Sequence, residues 1–212
     1  MEFEQTLLRF DGPSDERVSA DDDEVLYVVA GSGTATFGTE RVELAEGTAA
    51  YVARGTAWRV DEADDLVALS VRVHDPLPGS GHAVIDVAEA EAANATAGRQ
   101  FRLLATPDVG CASVTQFVGF IPVGRAPDHF HTYDEVVYVL EGEGALHIDG
   151  ETAPLRPGSA VHLPARLVHC LENTGSAEML LLGVFRPSGS PAEAYYPDGT
   201  PAYPGTPPLT VS

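Results

Sequence analysis

Three histidines and a glutamate carry the most chemistry in this chain. Residues 129–135 read His-Phe-His-Thr-Tyr-Asp-Glu. In an extended segment His129 and His131 project to the same face, about 7 Å apart, with both imidazoles free to converge. Glu135 follows in the next turn of sequence, and His169 lies well beyond it. Three imidazoles and a carboxylate form a mixed nitrogen and oxygen donor set suited to a divalent first-row metal. A lone histidine is more often core or surface than ligand. Two on one strand face, joined by two further donors, shift that balance. Four protein donors on an ion that prefers six leave one or two positions open for a substrate oxygen, a water or dioxygen. A redox-active ion there permits dioxygen chemistry, whereas zinc permits only Lewis-acid chemistry.

The elements that must hold these residues read as β-structure. Segments 114–123 (VTQFVGFIPV), 144–150 (GALHIDG), 159–165 (SAVHLPA) and 178–185 (EMLLLGVF) are short β-rich runs between Gly and Pro punctuation. Residues 135–140 form a continuous apolar run after the glutamate, too short for a typical helix. Alternation puts Glu135, Val137 and Val139 on one face and Val136, Tyr138 and Leu140 on the other. Gln116, Val118 and Phe120 share a face on the run that leads to the histidines. Gln116, Phe120 and Val137 are therefore the candidates to line a substrate pocket. Only 86–97 (DVAEAEAANATA) has helical composition, which predicts a short surface helix. The stretch 188–212 holds six prolines and predicts an extended arm over a barrel or a neighbouring subunit.

An internal repeat organises the chain. With Glu24 set on Glu135, EVLYVVAGSG (24–33) lies on EVVYVLEGEG (135–144), and ten of 26 ungapped positions from Glu24 to Ala49 are identical. Unrelated sequence would give about one or two, so duplication is the sound inference. Extended further, the same offset pairs Leu69 with Leu180 and Val73 with Val184. It also sets Val18, Ala20 and Trp58 against His129, His131 and His169, with only Glu24 matching Glu135. One carboxylate among Val, Ala and Trp cannot replace the water shell of a divalent ion, so the N-terminal copy is expected to be metal-free.

Gly124-x4-His129-x-His131-x3-Glu135-x6-Gly142 resembles the first signature of the cupin superfamily, one residue short between the glycine and the first histidine. Pro157-Gly158, Pro164, His169 and Asn173 resemble the second signature. The resemblance implies an all-β protein of two tandem cupin jelly-roll barrels with a short helical connection. The expected divisions are an N-terminal barrel at 1–76, a connection at 77–100, a metal-binding barrel at 101–187 and an arm at 188–212. It further implies His129, His131, Glu135 and His169 as ligands of one divalent transition metal per chain. Iron or manganese is favoured, with nickel, copper and zinc as alternatives. Glu135 leaving the metal to act as a catalytic base is also something the resemblance suggests.

Composition narrows the partners. There are 32 acidic against 12 basic residues, all of the latter arginine, for a formal net charge of −20. Such a surface repels phosphate backbones and anionic lipid, which argues against nucleic acid and membrane partners and for a small-molecule substrate. Two cysteines, Cys111 and Cys170, make no disulfide framework and suit a cytoplasmic protein. Cys170, next to His169, is expected to point to the opposite face as a buried thiol. His74 and His82 are expected to be solvated, His147 and His162 to be structural. A homodimer is expected by analogy with cupin barrels. The function classes that remain are a dioxygenase acting on a small enol, phenol or diketone, a non-redox isomerase, lyase or hydrolase, and a small-molecule-binding module.

Overall fold

The chain forms sixteen strands, most of them short and bounded by Gly or Pro, and two single-turn 3-10 helices, with no α-helix among the described residues. The structure is a computed structural model that describes residues 3–209. No helix among them is long and apolar enough to cross a membrane. The chain forms two compact units. One comprises the chain up to Ala90 together with Leu104–Gln116; the other comprises Glu91–Leu103 and the chain from Phe117 onward. The division is thus interleaved and does not fall in a single connection at 77–100. Positions 1, 2 and 210–212, at the outer ends of the expected first barrel and arm, lie outside the described residues.

In the first unit, β1 (Phe3–Phe10), β2 (Asp23–Phe37), β3 (Glu40–Ala45), β4 (Thr48–Val52), β5 (Trp58–Val73) and β6 (His82–Asp86) form one antiparallel sheet. Its order is β1-β5-β2-β4-β6, with β3 also paired to β2. The apolar faces of β2, β4 and β5 meet in a core that includes Leu26, Phe37, Val52, Trp58 and Leu66.

The second unit contains β7 (Ala92–Asn94), β8 (Gln100–Leu103), β9 (Thr115–Ile121, whose first two residues belong to the first unit), β10 (Gly124–Arg125), β11 (Asp134–Glu141), β12 (Gly144–Ile148), β13 (Glu151–Leu155), β14 (Ala160–Leu163), β15 (His169–Asn173) and β16 (Met179–Arg186). They build a four-stranded sheet, β10-β15-β12-β13, and a six-stranded sheet, β14-β11-β16-β9-β8-β7. Leu146, Leu155 and Leu171 from the first sheet share one apolar cluster with Phe117, Val137, Val139, Leu181 and Phe185 from the second. Facing sheets that bury one common core are the basis of a jelly-roll.

The repeat is visible as register. Glu24 pairs with Val52 and Glu135 with Leu163, so that both members of the pair are related by the same offset. Gly33 and Gly144 both run so close to a facing carbonyl, of Glu62 and Glu172, that a Cβ would collide with it. That close approach explains why both copies keep the second glycine of Gly-x-Gly. Beyond Trp58 and His169 the ungapped offset fails. Leu26 pairs with Ser70, whereas its counterpart Val137 pairs with Gly183, so Ser70 corresponds to Gly183 and not to Leu181. Irregularities along β2 and β5, and the break between β15 and β16, change the residue count between matching positions. The expected pairs Leu69 with Leu180 and Val73 with Val184 are therefore corrected to a shift of two.

The expected helix at 86–97 is also corrected. Its start completes β6, which adds to β4, and Ala92–Asn94 forms a hairpin with Gln100–Leu103. A stretch this short is marginal as an isolated helix even when rich in alanine, and the sheet edges offer its backbone a ladder instead. The arm from residue 188 folds onto the second unit. Phe130 and Tyr195 exchange backbone hydrogen bonds of 2.9 Å each, and their rings stack at 5.6 Å.

Candidate metal centre

His129 and His169 are brought together by backbone pairing. The His129 N–H donates to the His169 carbonyl at 3.0 Å, and the His169 N–H donates back at 2.8 Å. His131 lies two residues on, outside any regular strand but still on the same side. The three rings have centroids 4.8–5.4 Å apart, and one nitrogen of each lies within 4.8 Å of the others. His129 and His169 are buried, and His131 is half-buried.

Each ring is held by its other nitrogen. Nδ1 of His129 contacts the Pro127 carbonyl at 3.0 Å, Nδ1 of His131 the Glu193 carbonyl at 2.7 Å, and Nδ1 of His169 the Leu167 carbonyl at 2.9 Å. A carbonyl only accepts, so Nδ1 carries the proton in all three and Nε2 keeps its lone pair. Backbone carbonyls in this role fix the tautomer and ring direction of metal-binding histidines. Tyr133 adds a stack on His131, 4.7 Å between centroids and nearly parallel, and itself stacks on Phe185 at 3.9 Å.

Burial keeps the cluster neutral. It draws His129 down to about 4, with the neighbouring His169 adding to the effect. His131 falls well below the ordinary imidazole value through burial and its two histidine neighbours, and His169 falls through burial. Neutral imidazoles with converging lone pairs are what a divalent ion requires. The residues present therefore fit such an ion.

Glu135 is the second residue of β11 and lines the same cavity, of about 80 Å³, as the three histidines. Its carboxyl lies outside the group of three whose donor atoms converge. Burial pushes it up to about 8, partly opposed by the Arg99 guanidinium. The cavity wall is otherwise largely apolar and includes Phe101, Phe117, Phe120, Leu171 and Leu181.

The candidate pocket residues divide. Phe120 lines the cavity, but Gln116 and Val137 do not. Gln116 is fully buried in the first unit, where its Nε2 donates to the Leu26 carbonyl at 3.3 Å. On β9 the opposite phase, Phe117, Gly119 and Ile121, reaches the cavity. Val137 faces inward with Glu135 but is sealed in the core, 1% exposed. Sequence reasoning missed Arg99 and the arm residues Pro191, Ala192 and Ala194, all of which line the cavity. No motif marks them.

The remaining groups have ordinary partners. The Cys170 thiol, wholly buried, donates to the Ala126 carbonyl at 3.0 Å. His147 contacts Glu172 at 2.7 Å, and His162 is exposed. His82 is not a solvated loop residue but part of β6, 3.1 Å from Glu40 and stacked on Phe37. His74 pairs with Asp22.

At the corresponding place in the first unit, Trp58 Nε1 donates to Glu24 at 3.0 Å and the Ser70 hydroxyl donates to its other oxygen. Val18 and Ala20 are exposed. The cavity beside Trp58 is about 20 Å³, and its walls are apolar apart from Thr48.

The two-sheet fold, the paired signatures and the histidine cluster define a cupin, and comparison with known proteins agrees. Residues 116–185 match the cupin domain family. The chain is 37% identical over 99 residues to polyketide synthase CurC of Streptomyces cyaneus, a match covering 45% of this chain and 63% of that one. It is 33% identical over 93 residues to protein SchB of Streptomyces halstedii, covering 42% of this chain and 67% of SchB. A third match, 37% over 68 residues, is to quercetin 2,3-dioxygenase of Bacillus subtilis, covering 30% of this chain and 20% of that enzyme. The chain belongs to the cupin family. It spans less than two thirds of the length of CurC. In fold it is similar to the protein Ylba of E. coli, with a TM-score of 0.74 at 15% identity, over 90% of this chain and 79% of that one.

Proposed function

We propose that this protein is a metal-dependent cupin oxidoreductase, a dioxygenase acting on a small enol, phenol or diketone. In this reading both units are cupin barrels and only the second holds a metal. The observation that carries it is the convergence of three neutral imidazoles, each anchored through Nδ1 to a carbonyl, on an apolar cavity. His129, His131 and His169 would hold a divalent ion, with the Glu135 carboxylate as the fourth donor. Bound there, iron or manganese would supply dioxygen chemistry, and any of the candidate ions would polarise a substrate oxygen.

The chain's own groups have distinct tasks. The apolar walls exclude water and hold the carbon skeleton of the substrate. Glu135, which lines the same cavity, would accept a proton from an enol or phenol on leaving the ion. Similarity to a protein named as a quercetin dioxygenase supports the oxidative reading.

A non-redox reaction is the second reading, an isomerase, lyase or hydrolase. The longer match is to a protein whose name, polyketide synthase, carries no oxygenase activity. The test is metal analysis followed by dioxygen uptake with candidate enols and diketones. Iron or manganese with substrate-dependent uptake supports the dioxygenase. Zinc with product but no uptake supports the non-redox reading. Unchanged substrate despite measurable binding would leave a small-molecule-binding module.

A further inference from the structure

The cavity of the second unit contains one cation of its own. Arg99 stands in the turn between β7 and β8. That turn is closed by hydrogen bonds between Ala95 and Arg99, at 2.8 Å, and from Arg99 to Thr96, at 3.4 Å. Ala97 and Gly98 take left-handed backbone angles, φ 60° and 72°, which bends the chain sharply just before Arg99. The side chain runs inward and lines the same cavity as His129, His131, His169 and Glu135.

Its bonding is incomplete for a guanidinium. Nη2 donates to the carbonyl of Leu171, two residues beyond His169, and the Cys170 thiol lies beside it. No carboxylate lies within 4.0 Å of it among the described residues. A guanidinium carries five N–H donors in a rigid fork, and these neighbours take up only part of them. Glu135 shares the cavity and acts on the guanidinium through space, but it lies beyond ion-pair distance. A fixed cation beside three neutral imidazoles, walled by phenylalanine and leucine, is complementary to an anion that brings its own two oxygens.

We propose that Arg99 is a specificity-determining residue that selects substrates bearing a carboxylate. The carboxylate takes the guanidinium fork, and the apolar body of the substrate lies along the Phe117 and Phe120 side of the cavity. The reacting oxygen is thereby directed toward the histidine cluster. This inference rests on the cavity being the substrate site, as in the reading above, but it does not depend on which reaction occurs there.

The test is binding, with no turnover required. Salicylate and its neutral isostere salicylamide are titrated calorimetrically into protein loaded with zinc, so that dioxygen chemistry plays no part. Wild-type protein is expected to bind salicylate at least about tenfold more tightly than salicylamide. Arg99→Met should remove that preference by weakening salicylate far more than salicylamide, with zinc content unchanged, and Arg99→Lys should retain part of it. Equal affinities in the wild type, or no binding of salicylate, would overturn the proposal. A preference that survives Arg99→Met would overturn it too, because the carboxylate would then be bound by the metal. Should Arg99→Met lose zinc or fold poorly, the Lys variant decides: discrimination reduced or lost supports the inference, and unchanged discrimination overturns it. Failure of dioxygen uptake would sink the dioxygenase reading while leaving this result intact.

Discussion

Glu24 and Glu135 sit at the same place in two copies of one frame, and their surroundings differ. Each follows the first residue of a strand and pairs across to a matching partner, Val52 or Leu163. Around Glu24 the carboxylate is taken up by the Trp58 indole and the Ser70 hydroxyl. Around Glu135 those two positions are His169 and Gly183. Replacing the indole by an imidazole removes bulk and supplies a lone pair, and replacing serine by glycine removes a donor. A buried carboxyl is costly unless it is bonded. The first unit meets that cost with side chains, whereas the second leaves its carboxyl facing a cavity. Stability and chemistry are alternative uses of one position.

The largest expected effect of breaking this contrast is on metal content. His131→Ala removes one of three converging imidazoles, so bound metal should fall at least about tenfold, read by elemental analysis after gel filtration. Retention near the wild-type level would mean the ligands are assigned wrongly. Trp58→Ala strikes the other copy. It deletes a buried ring and strips Glu24 of a donor, and should cost about 3–5 kcal/mol in urea unfolding while leaving metal content unchanged. Gly183→Ser imports the first copy's hydroxyl. Its Cβ would lie 3.0 Å from Glu135 Oε1 and press into the Phe117 ring, so a loss of about 1–3 kcal/mol is expected.

The smallest effect is a pH dependence confined to the metal-free protein. His129, at about 4 in the folded state against an ordinary 6.5, lets the unfolded chain take up protons first. Its contribution is intact above the ordinary value and is lost as pH falls toward about 4. Glu135, raised from 4.5 to about 8, acts with the opposite sign: stability is intact at low pH and lost as pH rises through 8. Thermal midpoints of the metal-free protein should therefore peak near neutral pH and fall on both sides. Amide exchange should place these changes in the second unit. A flat profile would show that these groups are not buried as described.

How much of this was legible depended on range. His129, His131 and Glu135 lie close together in the chain, so local alternation and motif spacing identified them, and the internal repeat exposed Trp58 as the counterpart of His169. A period of two defines faces without saying which faces inward, and β9 turned out to present Phe117 and Gly119 to the cavity in place of Gln116. Alanine-rich composition suggested a helix at 86–97, where edge pairing with β4 and β8 prevailed. Arg99 and the Glu193 carbonyl were invisible for another reason. One arrives from a turn far upstream of His129 and the other from a backbone group of the arm, and neither leaves a pattern in the sequence.

The most direct test of the contrast between the two units is anomalous diffraction at the absorption edge of manganese or zinc from metal-loaded crystals. One peak per chain is predicted, about 2.0–2.2 Å from Nε2 of His129, His131 and His169, with none beside Glu24. A peak at Glu24, coordination through Nδ1, or no peak at the histidine cluster would contradict the account.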